Sequence, residues 1–243
     1  MKQEYTDNKP FLFVISPTKT MRETSKLGED VPAYQMHAES ILSFLRQFDE
    51  TSLQTYLQVN PKLARLNYER LHAPSADALA IDAYHGAQFK ALEPETLSVK
   101  ARHYLQNKLR ILSGLYGVLK PFDRIRLYRL PMAYQVDDVK LSDFWRPLIA
   151  PSLESYTVVN LASLEYAEAI DTSKVKVLEI RFQKKDQGKL KTHAMDAKRL
   201  RGQMVRYAAE HTIENIKALQ AFQADGYAYD AAESTNNLWV FSK

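Results

Sequence analysis

The chain has no cysteine among its 243 residues. It therefore cannot form a disulfide, use a thiolate nucleophile, or bind zinc or an iron–sulfur cluster through cysteine. Its six histidines lack the paired spacing of metal ligands, and neither a Gly-x-Ser-x-Gly elbow nor a dinucleotide-binding glycine fingerprint is present. We therefore predict no metal, no cofactor and, in the primary interpretation, no catalytic residue.

Long apolar runs are also missing. No segment approaches the roughly 20 apolar residues that a membrane-spanning helix needs. The first ten residues are polar and lack the apolar core of a signal peptide. These absences predict a cytoplasmic protein with no membrane partner.

Neither sign of charge dominates, because 33 lysines and arginines face 29 acidic residues and leave a net charge of +4. Such an excess is too small to identify a nucleic-acid partner, so the distribution of charge has to carry the argument. Between Ser98 and Arg129, Asp123 is the only acidic residue among many basic ones. Positive charge is thus concentrated in one stretch.

Glycine is scarce, yet two of the seven glycines, Gly114 and Gly117, lie within that basic stretch between apolar runs. A turn without Cβ atoms lets backbone N–H groups approach an anion closely. The pattern predicts a phosphate-binding hairpin turn after a helix over 98–112 that Ser98 caps. A tight helix–helix connection that binds no ligand is the structural alternative.

Basic side chains elsewhere supply the remaining candidate phosphate contacts. Lys120 directly follows the turn, and a predicted strand over 124–130 carries Arg124 and Arg126 on one side. Lys19 lies among hydroxyl residues where the first strand ends, either binding a phosphate or forming a buried salt bridge. The complete set of predicted DNA- or phosphate-binding residues is Lys19, Gly114, Gly117, Lys120, Arg124, Arg126, Arg129, Lys198 and Arg201.

Apolar periodicity predicts a mixture of helices and strands. The predicted strands cover 11–15, 124–130, 157–160 and 175–182, with a hairpin turn at 186–189 and short strands near 227 and 238–241. The predicted helices cover 34–48, a segment opened by Pro61, and then 77–92, 98–112, 141–153, 163–170 and 196–211. Because no linker or repeat interrupts the chain, we predict one compact α+β domain over residues 1–243.

Several strings resemble the YaaA-type peroxide-stress-response family. The longest run from Ile15 to Thr20 and from Leu112 to Pro121. Shorter matching strings follow in the family's order: Tyr128-Arg-Leu130, Phe144-Trp145, Val159-Asn-Leu-Ala-Ser163, Lys198, Arg201-Gly202 and Gly226-Tyr227. The resemblance implies a compact mixed fold with a helix-hairpin-helix-like element and a basic cleft. It also implies DNA binding and protection against hydrogen peroxide by limiting iron-driven damage.

The chain departs from the family pattern at three acids. Ala87, Pro131 and Leu164 stand where relatives carry an acidic residue, although Glu165 lies next to the last of these. Acid-dependent chemistry is therefore in doubt for this chain, whereas phosphate binding is not.

Besides a partner-binding scaffold whose action does not depend on the charge at the glycine turn, two functions remain open from the sequence. The first is a non-enzymatic protein that binds duplex DNA through its phosphates with little sequence specificity and limits iron-driven oxidative damage. The second is an enzyme acting on a nucleic-acid or small phosphoester substrate, centred on Lys19, Arg129 and Arg201.

Overall fold

The computed structural model describes residues 9–73 and 78–243. The strands are β1 (Phe11–Ile15), β2 (Ala78–Leu79), β3 (Leu109–Ser113), β4 (Gly117–Leu119), β5 (Arg124–Ile125), β6 (Gln135–Val136), β7 (Val139–Lys140), β8 (Thr157–Leu161), β9 (Lys176–Asp186), β10 (Lys189–Lys191), β11 (Ala228–Tyr229) and β12 (Leu238–Ser242). The α-helices are α1 (Gln35–Leu45), α2 (Glu50–Leu57), α3 (Pro61–His72), α4 (Ala80–Ala83), α5 (Ala87–Leu92), α6 (Val99–Lys108), α7 (Leu141–Leu153), α8 (Leu164–Ala167) and α9 (Ala194–Glu210). Two short 3-10 helices cover Pro94–Thr96 and Ile216–Ala221.

The central sheet has the strand order β11-β12-β9-β8-β1-β3-β4, and β10 pairs with β9. The five inner strands β12, β9, β8, β1 and β3 are mutually parallel, whereas β4 and β11 run antiparallel at the two ends. Inner parallel strands are covered on both faces, which explains why every residue of β1 and of β8 is buried. The prediction of a mixed α and β chain is confirmed, with a mostly parallel sheet.

The parallel register brings three chain segments to one edge of the sheet. Ile15 of β1 lies beside Leu161 of β8 on one side and Ile111 of β3 on the other. The residues that follow these strands, including Ser16 and Ser163, therefore meet at the carboxyl edge. This edge is where open α/β sheets bind their ligands.

The helix-hairpin-helix prediction is not confirmed. Helix α6 begins after its cap, where Ser98 Oγ accepts a hydrogen bond from the Ala101 N–H, but it ends at Lys108. The next five residues form β3, and the glycine turn joins β3 to β4 as a β-hairpin. Leu109 and Leu112 fit a helical stripe, yet pairing with β1 buries this apolar segment more completely than a helix surface does.

Other predicted elements differ mainly in their extent. The predicted strand over 124–130 is regular only in β5, which pairs with β2. The predicted helix over 77–92 is divided into β2, α4 and α5, and helix α2 lacked a clear sequence signal. Helix α7 continues through Pro147, and Asp186 pairs with Lys189 in the predicted hairpin. Residues 1–8 of the polar N-terminal segment, and residue 77, lie outside the described residues.

Gly114 provides a test of this packing. A Cβ at position 114 would overlap the Leu130 carbonyl oxygen, whereas position 188 has open space around it. We expect Gly114→Ala to lower the free energy of unfolding by about 3 kcal/mol, at the upper end of overpacking costs. Gly188→Ala adds only the strain of its positive φ, about 1 kcal/mol. Urea denaturation measures both, and equal losses would contradict the close-packing explanation.

Candidate functional site

Serine residues connect the loops at the carboxyl edge. The Ser163 backbone N–H donates to Ser16 Oγ at 2.8 Å, and the two hydroxyl oxygens lie 3.2 Å apart. Ser16 directly follows β1, and Ser163 directly precedes α8. The loop that carries Lys19 is therefore fixed against the segment that carries Glu165.

Lys19 and Arg129 line one small pocket at this edge. Its lining is Pro17, Thr18, Lys19, Tyr128, Arg129, Leu130, Pro131 and Tyr166. The pocket volume is about 10 Å³, which is close to the space that one water molecule needs. Lys19 is exposed and Arg129 is half-buried. An anionic group at the mouth could therefore reach both cations while one of its oxygens enters the pocket.

Two buried polar atoms beside this pocket lack partners. Within the described ranges, neither Arg129 Nε nor Glu165 Oε1 has a hydrogen-bond partner. Burial raises the pKa of the Tyr166 phenol, and the Glu165 carboxylate adds to this rise while the Arg129 guanidinium opposes it. The three side chains therefore share one environment. Because unsatisfied buried polar groups are rare and costly, such atoms indicate a site for an external group.

A chain of buried hydroxyl groups forms the floor of the site. Tyr128 OH lies 2.6 Å from Ser113 Oγ and 2.7 Å from Tyr84 OH. Ser113 Oγ also accepts a hydrogen bond from the Tyr116 N–H at 2.9 Å. Burial raises the pKa of both Tyr84 and Tyr128, so both phenols are neutral at pH 7. This network joins the end of β3 to the segment that positions Arg129.

Arg201 lies near the same edge but does not line the Lys19 pocket. Gly202 packs directly against the Gln88 carbonyl, and position 86 packs against Thr18, so α9 is close to the Lys19 loop. Burial lowers the pKa of Arg201, and the Glu179 carboxylate opposes this shift. No described residue hydrogen-bonds to the buried Nε of Arg201. Arg201 is thus a second buried cation with an unsatisfied donor.

The three positions at which we expect a departure from the family's acids lie in segments next to this site. Pro131 lines the pocket, and Ala87 opens α5 directly after the glycine that packs against Thr18. Leu164 opens α8 and is 87% exposed. Uncharged residues at these three positions remove potential partners for the nearby cations. Glu165 and the tyrosines were not among the predicted site residues, although Glu165 and Tyr166 follow the end of β8 closely in sequence.

The glycine turn has a packing role in the structure. All residues from 111 to 119 are buried. Gly117 has a φ of +71°, and a Cβ there would lie 2.5 Å from Trp145 Cε3. The Trp145 indole N–H donates to the Gly114 carbonyl at 2.9 Å. The turn is therefore a tight connection, but it joins two strands and not the two helices of the structural alternative, and it presents no exposed turn backbone to a phosphate.

Arg126 is held in the interior rather than beside Arg124 on an exposed face. It is 8% exposed, and its guanidinium donates to the carbonyl oxygens of Arg70, Leu71 and Ala73 at 3.0–3.4 Å. Those carbonyls end α3, where a cation also complements the helix dipole. Arg124 is exposed on β5. The predicted alternation failed because the chain leaves β5 after Ile125 and enters the core.

Lys120 lies at the opposite, amino edge of the sheet. It borders a larger cavity of about 360 Å³, together with Asp30, Val31, Ala33, Tyr34, Arg110, Val118, Leu119, Asp123, Ser152 and Tyr156. Strand β3 begins at this edge and ends at the carboxyl edge. A single basic cleft containing all the predicted residues is therefore not confirmed.

Many of the other basic residues form internal ion pairs. Arg102 makes two 3.1 Å hydrogen bonds to the buried Asp82 carboxylate, and Lys108 lies 2.7 Å from Glu214. Arg199 pairs with Asp196 and Asp225, and Arg206 pairs with Glu93 and Glu210. Lys198 is exposed on α9. Much of the positive charge in the sequence is thus neutralised within the fold.

Residues 9–73 and 78–243 contain neither a metal-binding cluster of side chains nor a membrane-spanning helix. No group of three histidine, aspartate or glutamate side chains is arranged to hold a metal ion. Likewise, none of the helices in these ranges combines the length and apolarity needed to cross a membrane.

The fold and the pocket define a mixed α/β protein with a cationic site at the carboxyl edge of a mostly parallel sheet. Residues 11–233 match the sequence model described as peroxide stress protein YaaA. A UPF0246 protein of Acaryochloris marina is 37% identical over 250 residues, covering 96% of this chain and 99% of the relative. A UPF0246 protein of Lactobacillus johnsonii is 35% identical over 243 residues, covering 95% and 96%. This chain belongs to the YaaA family of peroxide stress proteins.

Asp123 makes stability depend on pH. Burial raises the pKa of its carboxyl group to about 6, although its hydrogen bond from the Lys120 N–H opposes the shift. The folded protein therefore retains a proton that the unfolded chain releases near pH 4, and the resulting stabilisation is lost as pH rises from about 4 to 6.

We expect Asp123→Asn to remove the loss of stability that accompanies the rise in pH. Between pH 4 and pH 7, the free energy of unfolding of the variant should gain about 3 kcal/mol relative to the parent, from a shift of about two pKa units. Urea denaturation at both pH values measures the difference. A constant offset between the two proteins would contradict the raised pKa.

Proposed function

We propose that this chain binds duplex DNA through its phosphates at the carboxyl edge of the sheet, with Lys19 and Arg129 as the principal contacts. The observation that carries the proposal is a pair of buried arginine nitrogens, Nε of Arg129 and of Arg201, without hydrogen-bond partners among the described residues. An anion with several acceptor oxygens would satisfy such donors. Lys19, exposed at the same pocket, would add a mobile positive charge.

The shape and charge of the site favour a phosphate of a duplex backbone over an isolated small anion. The pocket admits little more than one oxygen-sized group, so most of a bound ligand would remain outside. A backbone phosphate on a duplex has this geometry, since its oxygens project from a larger surface. Contacts of this kind read charge and shape, so binding should show little sequence specificity.

DNA binding also offers a physical route to protection in the peroxide response. A protein that neutralises backbone phosphates releases the cations condensed around them. We propose that ferrous ions are among the displaced cations, so that hydroxyl radicals form farther from the DNA. Fewer strand breaks in a plasmid treated with ferrous iron and peroxide, in the presence of saturating protein, would agree with this role.

Fluorescence anisotropy of a labelled duplex across a salt series tests the location of the contacts. We expect Lys19→Ala/Arg129→Ala to weaken binding and to reduce the slope of log affinity against log salt by about 1.8, since each lost contact removes about 0.9. Lys62→Ala/Lys189→Ala removes the same charge from exposed positions on α3 and β10 and serves as the matched control.

Two further variants sharpen this test. Lys120→Ala/Arg124→Ala examines the opposite edge, and a loss of affinity confined to that pair would contradict the proposed location. Leu164→Asp places a carboxylate beside the pocket at an exposed position and should weaken binding, whereas Leu164→Asn should not. No binding by the parent at low salt would reject DNA as the ligand.

A second candidate function is hydrolysis of a phosphoester at the same pocket. The observation in its favour is the buried, unpartnered Oε1 of Glu165 in the environment of Arg129. Such a carboxylate could accept a proton from an attacking water, while Lys19 and Arg129 stabilise the charge that develops on the phosphate oxygens.

Turnover of bis(p-nitrophenyl) phosphate tests this alternative. We expect Glu165→Gln to lower the rate at least a hundredfold, the lower range of general-base contributions, without weakening the binding of inorganic phosphate. Absence of turnover by the parent protein would reject the enzymatic function and leave the binding function intact.

A further inference from the structure

The larger cavity at the amino edge contains an arginine whose donors are only partly used. Arg110 is the second residue of β3, and its Nη1 donates to the carbonyls of Leu109 at 2.7 Å and Gln106 at 3.3 Å. No hydrogen bond within residues 9–73 and 78–243 engages its Nε or Nη2. Burial lowers the pKa of Arg110, and the Tyr156 phenol and Asp123 carboxylate oppose this shift. A charged guanidinium with two remaining donors therefore borders the cavity.

The other polar groups around the cavity are mostly engaged with the protein. Tyr34 OH donates to the Leu148 carbonyl at 2.7 Å, and Ser152 Oγ donates to the Ile149 carbonyl at 2.6 Å. One carboxylate oxygen of Asp30 accepts from Gln106 Nε2 at 2.9 Å. Asp123 Oδ2 accepts from the Lys120 N–H at 2.8 Å. Arg110 and the Lys120 ammonium thus remain as the cationic donors for a ligand.

The size and lining of the cavity indicate what such a ligand is. A volume of about 360 Å³ lies within the range of small-molecule sites in proteins. The exposed Val31 supplies apolar surface, and the half-buried Tyr34 and Tyr156 supply aromatic surface. Guanidinium groups pair with planar carboxylates and with phosphates through two parallel hydrogen bonds. The combination suits an anionic head group on an apolar body.

We propose that this cavity binds a small organic anion, with its carboxylate or phosphate on Arg110 and Lys120 and its apolar body against Val31 and the rings of Tyr34 and Tyr156. The site is separate from the proposed DNA contact, because Lys120 and Arg110 lie at the amino edge of the sheet and Lys19 and Arg129 at the carboxyl edge. The organic anion can therefore bind in the cavity whether or not DNA is bound at the carboxyl edge.

Isothermal titration with three aromatic probes tests the proposal. Benzoate and phenyl phosphate carry the two anionic head groups, and benzyl alcohol is the neutral comparison. We expect at least one of the anions to bind at least tenfold more tightly than benzyl alcohol. Lys120→Met should weaken that binding roughly tenfold, the effect of losing one charge-assisted hydrogen bond. The matched control Lys62→Met removes an exposed lysine from α3 and should leave the affinity unchanged.

Additional variants keep the test decisive if one of them fails to fold. Arg110→Met should weaken binding by tenfold or more, and Ser152→Trp should block the cavity from an exposed position on α7. Equal affinity for the neutral alcohol, or no effect of Lys120→Met and Ser152→Trp, would overturn the proposal. So would loss of phenyl phosphate binding in Lys19→Met but not in Lys120→Met, since that result places the anion at the carboxyl edge.

Discussion

The parallel pairing of β1 with both β3 and β8 is the constraint on which the rest of the structure depends. All five residues of β1 are buried, so a slip of its register would disturb both neighbouring strands and both covering layers. The same pairing brings Ser16, Ser163 and Ser113 to one edge. The candidate site is thus a consequence of sheet register, since its residues come from loops far apart in sequence.

Buried polar groups in this chain divide into two kinds. Arg126 donates to three carbonyls at the end of α3, and Arg102 forms two hydrogen bonds to Asp82, so both cations are satisfied within the fold. Arg129 and Arg201 each retain a buried Nε without a partner among the described residues. The cost of leaving a buried donor unsatisfied distinguishes these two arginines as candidates for binding. Charge alone could not separate the two groups.

The three positions at which we expect the chain to lack the family's acids lie in segments that are close together in the fold. Positions 87, 131 and 164 are distant in sequence. Pro131 lines the pocket of Lys19 and Arg129, and Ala87 and Leu164 each follow a residue that contacts the Lys19 loop, Gly86 on Thr18 and Ser163 on Ser16. Their uncharged side chains favour anion binding there by leaving nearby cations unneutralised. Glu165 supplies one carboxylate from an adjacent position.

The amino-acid sequence alone predicts the mixed composition of the fold, a buried β1, the strand β8, the Ser98 cap of α6, the hairpin after β9 and the family. Local patterns determine such features because periodicity, capping and turn chemistry act over a few residues. Two features are visible only in the folded protein: the Gly114–Gly117 turn packs on Leu130 and Trp145, and Lys120 and Lys19 lie at opposite edges of the sheet. These outcomes depend on pairing and burial between segments distant along the chain, which no local pattern encodes.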